Sequence, residues 1–125
     1  MKFFLIAGAL NALLSVAFGA FGAHLLEGRV ADKYLDTWQT AVQYQMFHSI
    51  GLMVVAILMS SSLLGSLSSL NWAGYLMLAG IIIFSGSLYV LSLTGISILG
   101  AITPIGGLAF IAAWVMIVIA AVKAL

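Results

Sequence analysis

The chain has 125 residues, of which 65% are hydrophobic and 6% charged, whereas a soluble domain is about 45–50% apolar and about 25% charged. Four basic and three acidic side chains could not cover the surface of a soluble enzyme of this size. Four basic side chains also form no phosphate-binding patch, which excludes a nucleic-acid-binding protein. The absence of cysteine excludes disulfides and thiolate metal sites. The composition predicts a single-domain integral membrane protein.

Four apolar stretches are long enough to cross a bilayer, which takes about 20 mainly apolar residues in a helix. They cover residues 3–23, 46–64, 72–93 and 104–122. A β-barrel would show alternating hydrophobicity and an open sheet edge cannot face lipid, so all four are predicted as helices. The predicted fold is an all-α integral membrane protein with one four-helix transmembrane domain over residues 1–125.

Capping signals precede the third and fourth spans. Asn71 before Trp72 is a predicted N-cap, and Trp72 suits the membrane interface. Thr103 followed by Pro104 is typical of an N-cap with proline at the first helical position. We therefore expect these two helices to begin at Trp72 and Pro104, directly after their caps.

The segment 26–45 differs from the four spans. Five of the seven charged residues lie here, namely Glu27, Arg29, Asp32, Lys33 and Asp36. Tyr34, Trp38, Ala41 and Gln45 recur at helical spacing, which predicts an amphipathic helix lying in the interface, with Tyr34 and Trp38 as interfacial aromatic residues. The alternative is that the second span extends into this segment as one long helix.

Small residues recur inside the apolar stretches. Lipid tails are as apolar as leucine, so helices in a membrane associate through close approach at small residues rather than through hydrophobicity. The candidate packing positions are Gly8, Ser15, Gly19, Gly22, Gly80, Gly86, Gly106 and Gly107. We expect leucine in place of Gly86 to disrupt this packing.

Polar side chains within the spans need partners, which makes them functional candidates. Asn11 lies some 12 Å into the first helix at the helical rise, and we expect it to bond to a backbone carbonyl or to a partner helix. Chain direction predicts that His24, at the end of helix one, and His48, at the start of helix two, lie at similar depth, with Gln43 at the same level. The candidate polar site comprises Asn11, His24, Gln45, His48, Ser85, Ser87, Tyr89 and Thr103.

Several chemistries are open to this polar site. The two histidines could ligate haem iron, or His24, Glu27 and His48 could form a three-ligand metal site, but the simpler expectation is that both histidines hydrogen-bond loop backbone. The chain has no carboxylate pair within a span, no catalytic triad in a plausible order and no metalloprotease motif. We expect no cofactor, no resident metal and no enzymatic activity.

Short motifs along nearly the whole chain resemble one family. The matching segments are GAFGAHL at 19–25, TA at 40–41, YQM at 44–46 with His48, FSGSLY at 84–89, TPIGG at 103–107, and Trp114. Together they resemble domain-of-unknown-function family 423, a family of small bacterial membrane proteins related to animal transmembrane protein 256. Leu25 stands where many members have glycine. The resemblance implies four spans, a retained first helix and residence in a bacterial plasma membrane, and it implies no activity.

The leading hypothesis is a non-enzymatic, multi-pass plasma-membrane protein that self-associates or binds membrane lipids or a small membrane-protein partner. An alternative is an oligomeric small-solute channel or transporter whose route passes Asn11, Ser85, Ser87, Tyr89 and the histidines. A third is a haem- or metal-binding protein that uses His24 and His48.

Overall fold

The computed structural model describes the backbone of all 125 residues and every side chain except that of Ala23. Its elements are four long helices: α1 (Lys2–Leu26), α2 (Asp32–Leu58), α3 (Ser68–Thr94) and α4 (Leu99–Ala124). Each is long and apolar enough to cross a membrane. The predicted all-α class and the four membrane-spanning helices are confirmed.

The helices pack in chain order, α1 on α2, α2 on α3 and α3 on α4. The two middle helices are accordingly the more buried, and α1 and α4 expose most of their apolar length. Leu13 and Val118, for example, are each 62% exposed, as expected of side chains that face lipid. The core between the helices is built around Phe4, Leu52 and Met77.

The segment 26–45 does not form a separate interfacial helix. From Asp32 onward it runs without a break into the second span, so the alternative of one long helix is correct. Trp38 supplies the physical reason. The residue is 7% exposed and its indole N–H donates to the Phe18 carbonyl at 2.9 Å, so this part of α2 packs against α1. Tyr34 is half-buried beside it, whereas Trp72 is exposed as an interfacial residue would be.

Helix boundaries also depart from the predictions. Helix α2 ends at Leu58, so residues 59–64 belong to a turn rather than to the second span, and Gly65 there adopts a φ of 75°. Helix α3 begins at Ser68 after Leu67, which places Asn71 inside the helix. The predicted cap therefore lies too late in the sequence.

Helix α4 begins at Leu99, so Thr103 is not its N-cap and Pro104 is not its first helical residue. The Thr103 hydroxyl instead bonds within the helix, where it donates to the Leu99 carbonyl at 3.2 Å. The proline remains within the second turn, near enough to the helix start that its lost N–H removes one bond without ending the helix.

Close approach between helices depends on glycine. A Cβ at Gly8 would lie 2.8 Å from the Ser49 carbonyl, and one at Gly106 would overlap the backbone of Phe84. Of the other predicted positions, Gly19, Gly22 and Gly80 are tight, against Val42, Trp38 and Phe110. Two glycines that were not predicted are tight as well, Gly51 against Met77 and Gly74 against Phe4. Gly86 differs, because a Cβ there meets no atom within 4 Å. Leucine at Gly86 would therefore leave the packing within a single chain intact. Its expected effect on contacts between chains stays a prediction.

Two of the helices contain a π-helical turn, at Phe18–Gly22 in α1 and Ile81–Ser85 in α3. A π turn shifts the hydrogen-bond register and frees backbone groups for other partners. The Phe18 carbonyl accepts from Trp38 in this way. The turn in α3 delivers Ser85, whose hydroxyl donates to the Ala41 carbonyl of α2 at 2.8 Å.

Candidate functional site

Three polar side chains from three helices form one continuous hydrogen-bonded chain. The Tyr89 hydroxyl donates to Gln45 Oε1 at 2.6 Å, and Gln45 Nε2 donates to Asn11 Oδ1 at 3.0 Å. Asn11 Nδ2 then donates to the Ala7 carbonyl at 2.9 Å. The structure therefore brings together three of the predicted site residues. Each amide oxygen is satisfied, as the apolar surroundings demand.

The predicted hydroxyl residues also bond between helices. Ser87 Oγ and Thr103 Oγ1 lie 2.6 Å apart and join α3 to α4. Ser85 joins α3 to α2 through the Ala41 carbonyl, and Ser15 bonds within α1 to the Asn11 carbonyl. Interhelical bonds of this kind hold membrane helices together. These hydroxyls are therefore structural links within the bundle.

His48 is held on both ring nitrogens. Nδ1 lies 2.8 Å from the Tyr44 carbonyl, which can only accept, so Nδ1 carries the proton. Nε2 accepts from the Trp114 indole at 3.0 Å. The ring also stacks on Phe110, with centroids 3.5 Å apart and planes 9° from parallel. With both nitrogens engaged, His48 has no lone pair free for a metal or haem.

His24 and His48 do not lie together, and the prediction of a shared level is wrong. Gly22 packs on Trp38 and Gly8 packs near Ser49, so His24 is level with the first turns of α2, whereas His48 is level with the first turns of α1. At the helical rise this separates it from the exposed His24 by about 18 Å along the bundle. The cause is the early start of α2, which places half a helix between the loop and His48. Among the described side chains, no group of three or more His, Cys, Asp or Glu could hold a metal ion.

An aromatic groove of about 600 Å³ opens on the outer side of the bundle between α2 and α4. Its lining consists of Gln43, Tyr44, Phe47, His48, Phe84, Gly107, Phe110, Ile111 and Trp114. The groove was not predicted from the sequence, because α2 and α4 become neighbours only by packing on the same side of α3. The available signal was the i, i+4 spacing of Tyr44 with His48 and of Phe110 with Trp114.

One wall of the groove consists of aromatic side chains that pack on one another. The planes of Tyr44 and His48 lie 13° apart, and those of Tyr44 and Phe110 lie 22° apart. Phe84 packs on Tyr44 with a centroid distance of 4.3 Å. His48 and Phe110 are each 4% exposed and stack on one another, so Tyr44, which is 42% exposed, is the ring of these three that the groove presents.

Two polar groups in the groove have no partner among the described residues. Neither the Gln43 side-chain amide nor the Tyr44 hydroxyl makes a hydrogen bond there, and both residues are exposed. Gln43 lies about 17 Å along α2 from Asp32 at the helical rise, about two turns beyond Asp36. An amide facing hydrocarbon without a partner is costly. The groove therefore combines an aromatic wall with unmet hydrogen-bonding capacity.

The family model described as "Protein of unknown function (DUF423)" matches residues 18–107. The chain belongs to the DUF423 family. Among relatives, the UPF0382 membrane protein YwdK of Bacillus subtilis is 63% identical over 123 residues, 98% of each chain. A UPF0382 membrane protein of Staphylococcus haemolyticus is 52% identical over the same share of both chains. No solved structure matches the chain significantly.

The family assignment confirms the resemblance noted in the motifs and identifies this DUF423 chain as a membrane protein. The matched region holds Gln43, Tyr44, Gln45 and Tyr89, and so includes both sides of α2 that carry the polar groups. The groove residues Phe110 and Trp114 lie beyond it, in a part of the chain that YwdK also covers.

Proposed function

We propose that this DUF423 protein is a non-enzymatic lipid-binding protein of the plasma membrane and that the groove between α2 and α4 is its binding site. The observation that carries the proposal is the unpartnered Gln43 amide beside Tyr44, on an aromatic surface that faces the bilayer. Small-molecule sites are commonly apolar and aromatic, with a few polar groups that fix orientation. A site open sideways within the membrane is reached by a membrane-dissolved molecule.

The groove supports binding rather than catalysis. His48 is its titratable imidazole, and both nitrogens are committed to Tyr44 and Trp114. General acid–base catalysis requires a group free to exchange a proton with the substrate. A ring whose nitrogens are both engaged instead stabilises the groove wall.

The geometry favours this function over a solute pathway. Asn11 and Tyr89, which would line such a route, are bonded through Gln45, and Ser87 is bonded to Thr103. Solute passage would break bonds that join the helices. The haem and metal hypotheses fare no better, because His24 lies far from His48 and His48 has no free nitrogen.

Self-association remains a second proposal, carried by the outer face of α3. Ile82 and Val90 are 70% and 46% exposed, and Gly86 lies between them with open space over its Cα. A glycine in the middle of an exposed apolar helix face permits close approach of another helix. A second copy of the chain, or a small membrane-protein partner, could pack there while the groove stays open.

The lipid-binding proposal is tested by native mass spectrometry of the protein in mild detergent with added phosphatidylglycerol. Gly107→Phe places a ring in the groove, because a Cβ at Gly107 meets only Phe84, at 3.9 Å. Gly100→Phe is the matched control, since Gly100 lies on α4 outside the groove with nothing within 4 Å.

The expected result is a retained lipid mass on the wild-type protein and on Gly100→Phe, and its loss on Gly107→Phe. Equal lipid retention by both variants would place the lipid elsewhere and contradict the proposal. A wild-type chain that retains no lipid under any detergent condition would contradict it as well.

A further inference from the structure

We infer that the contact between His48 and Trp114 is sensitive to acid: a proton taken up by His48 releases Trp114 and opens the groove between α2 and α4. This inference concerns how the two helices are held together, and it does not depend on which molecule occupies the groove. It is drawn from three features of the structure: the tautomer of His48, the surroundings of its ring, and the few side chains that join α2 to α4.

The hydrogen bond from Trp114 to His48 exists only while His48 is neutral. Nδ1 carries the proton and donates to the Tyr44 carbonyl at 2.8 Å, so Nε2 is an acceptor and receives the Trp114 indole N–H at 3.0 Å. In a protonated histidine both ring nitrogens are donors, and an indole N–H can only donate. Two N–H groups would then face each other at this distance. Protonation of His48 therefore replaces an attraction between α2 and α4 with a repulsion.

The surroundings of His48 do not stabilise a positive charge on its ring. The residue is 4% exposed, and its ring stacks on Phe110 with centroids 3.5 Å apart. The titratable group beside it is the Tyr44 phenol on the same helix, whose ring centroid is 6.3 Å away. The side chains that face it from α4 are Phe110 and Trp114, which carry no charge. A buried charge without a partner is strongly destabilising, so a protonated His48 gains stability by becoming exposed.

The charged residues of the chain lie away from His48 on every helix. The chain has three carboxylates, and the nearest of them along α2, Asp36, is about 18 Å from His48 at the helical rise. Helix α3 carries no charged residue, and its Tyr89 bonds to Gln45 on the other side of α2. The basic residues of α1 and α4, Lys2 and Lys123, lie at the ends of these helices. Protonation of His48 is therefore coupled to movement of the helices rather than absorbed by an ion pair.

Helix α4 is attached to its two neighbours by different kinds of contact. Along its length α4 packs on α3, where Gly106 lies against the Phe84 backbone, a contact that no titration affects. Across the groove it meets α2 through the rings of Phe110 and Trp114, which both lie on His48. When His48 takes up a proton, α4 therefore stays on α3 and moves away from α2, and the groove widens.

The test is a pH titration of the intact protein in mild detergent, from about pH 8 to about pH 4, a range that brackets the usual titration of histidine. Nuclear magnetic resonance of ¹⁵N-labelled tryptophan and histidine follows the three indoles and the two imidazoles. Trp72→Phe and Trp114→Phe assign the indole signals. Trp38 is the internal control, because its indole donates to the Phe18 carbonyl, which does not titrate.

Two histidine variants separate the roles of the two imidazoles. In His48→Gln the glutamine carbonyl can accept from Trp114 in place of Nε2, and it does not titrate. His24→Gln is the matched control, because His24 is exposed near the end of α1 and does not line the groove. Since the chain has no cysteine, spin labels on single cysteines at Ile50 and Val118, which are 53% and 62% exposed, measure the distance between α2 and α4.

We expect the Trp114 signal to shift toward that of an unbonded indole with the same midpoint as the His48 imidazole, while the Trp38 signal stays in place. The distance between the spin labels should lengthen over the same range, and both responses should persist in His24→Gln and vanish in His48→Gln. A Trp114 signal that stays in place throughout the titration, or one that shifts equally in His48→Gln, overturns the inference. An unchanged distance, or a shift of all three indole signals together as in unfolding, overturns it as well.

Discussion

The two sides of α2 each carry a glutamine, and the two glutamines have opposite surroundings. Gln45 faces inward, is 4% exposed and bonds through both ends of its amide, to Tyr89 and to Asn11. Gln43 lies two residues away, about 200° around the helix, and faces outward into the groove without a bonding partner among the described residues. The inner amide is satisfied by the chain itself. The outer amide is left for something outside the chain.

This difference follows from how closely the helices approach on each side. Glycines at positions 8 and 22 let α1 lie against α2, and polar groups from both helices then meet at hydrogen-bonding distance. Helices α2 and α4 are held apart by Phe110 and Trp114, whose rings span the gap. Close packing therefore creates internal bonding, and aromatic spacing creates a groove.

The largest expected effect comes from the contact that positions α4. Gly106→Ala places a methyl group against the Phe84 backbone, which cannot move aside without shifting α3. We expect a loss of about 1–3 kcal/mol of stability, the usual cost of overpacking, with loss of the groove. Gly107→Ala, its neighbour, meets Phe84 only at 3.9 Å and should be neutral. The measurement is unfolding in denaturing detergent, followed by circular dichroism. Equal unfolding midpoints for Gly106→Ala and Gly107→Ala would contradict this prediction.

The next effect sharpens the comparison between the two glutamines. Gln45→Leu removes two interhelical bonds and leaves Asn11 and Tyr89 unpartnered. At about 0.6 kcal/mol for a typical bond between membrane helices, plus the orphaned groups, we expect a loss of about 1–2 kcal/mol. Gln43→Leu should leave stability unchanged or slightly raised, because it removes an amide from an apolar surface. The same unfolding measurement compares the two variants. A larger loss of stability for Gln43→Leu than for Gln45→Leu would contradict the different roles assigned to the two glutamines.

The smallest effect on the single chain is expected at Gly86. Leucine at Gly86 extends into open space, so the unfolding midpoint of the monomer should not move. If α3 packs on a second copy there, the variant should lose oligomers that the wild-type protein forms, as measured by cross-linking in vesicles of phosphatidylethanolamine and phosphatidylglycerol. Unchanged cross-linking would show that this face is not a self-association surface.

The sequence predicts much of the bundle and less of the site. Apolar length alone predicts the four helices, and the depth of Asn11 correctly predicts a bond to backbone or to a partner helix. The start of α2 is misplaced, because its charges suggested a surface segment and the burial of Trp38 depends on α1. The predicted common level of His24 and His48 is wrong for the same reason. The groove depends on both α2 and α4 packing on α3, a long-range relation that no local pattern carries.

The most direct test of the contrast is nuclear magnetic resonance of side-chain amides labelled with ¹⁵N at glutamine. The chain has three glutamines, Gln39, Gln43 and Gln45, and leucine at Gln39 or Gln43 assigns their signals. In mild detergent, adding phosphatidylglycerol should shift the Gln43 amide signals and leave those of Gln45 and Gln39 in place. Unmoved Gln43 signals, or an equal shift at Gln45, would contradict the assignment of the outer side of α2 to a ligand.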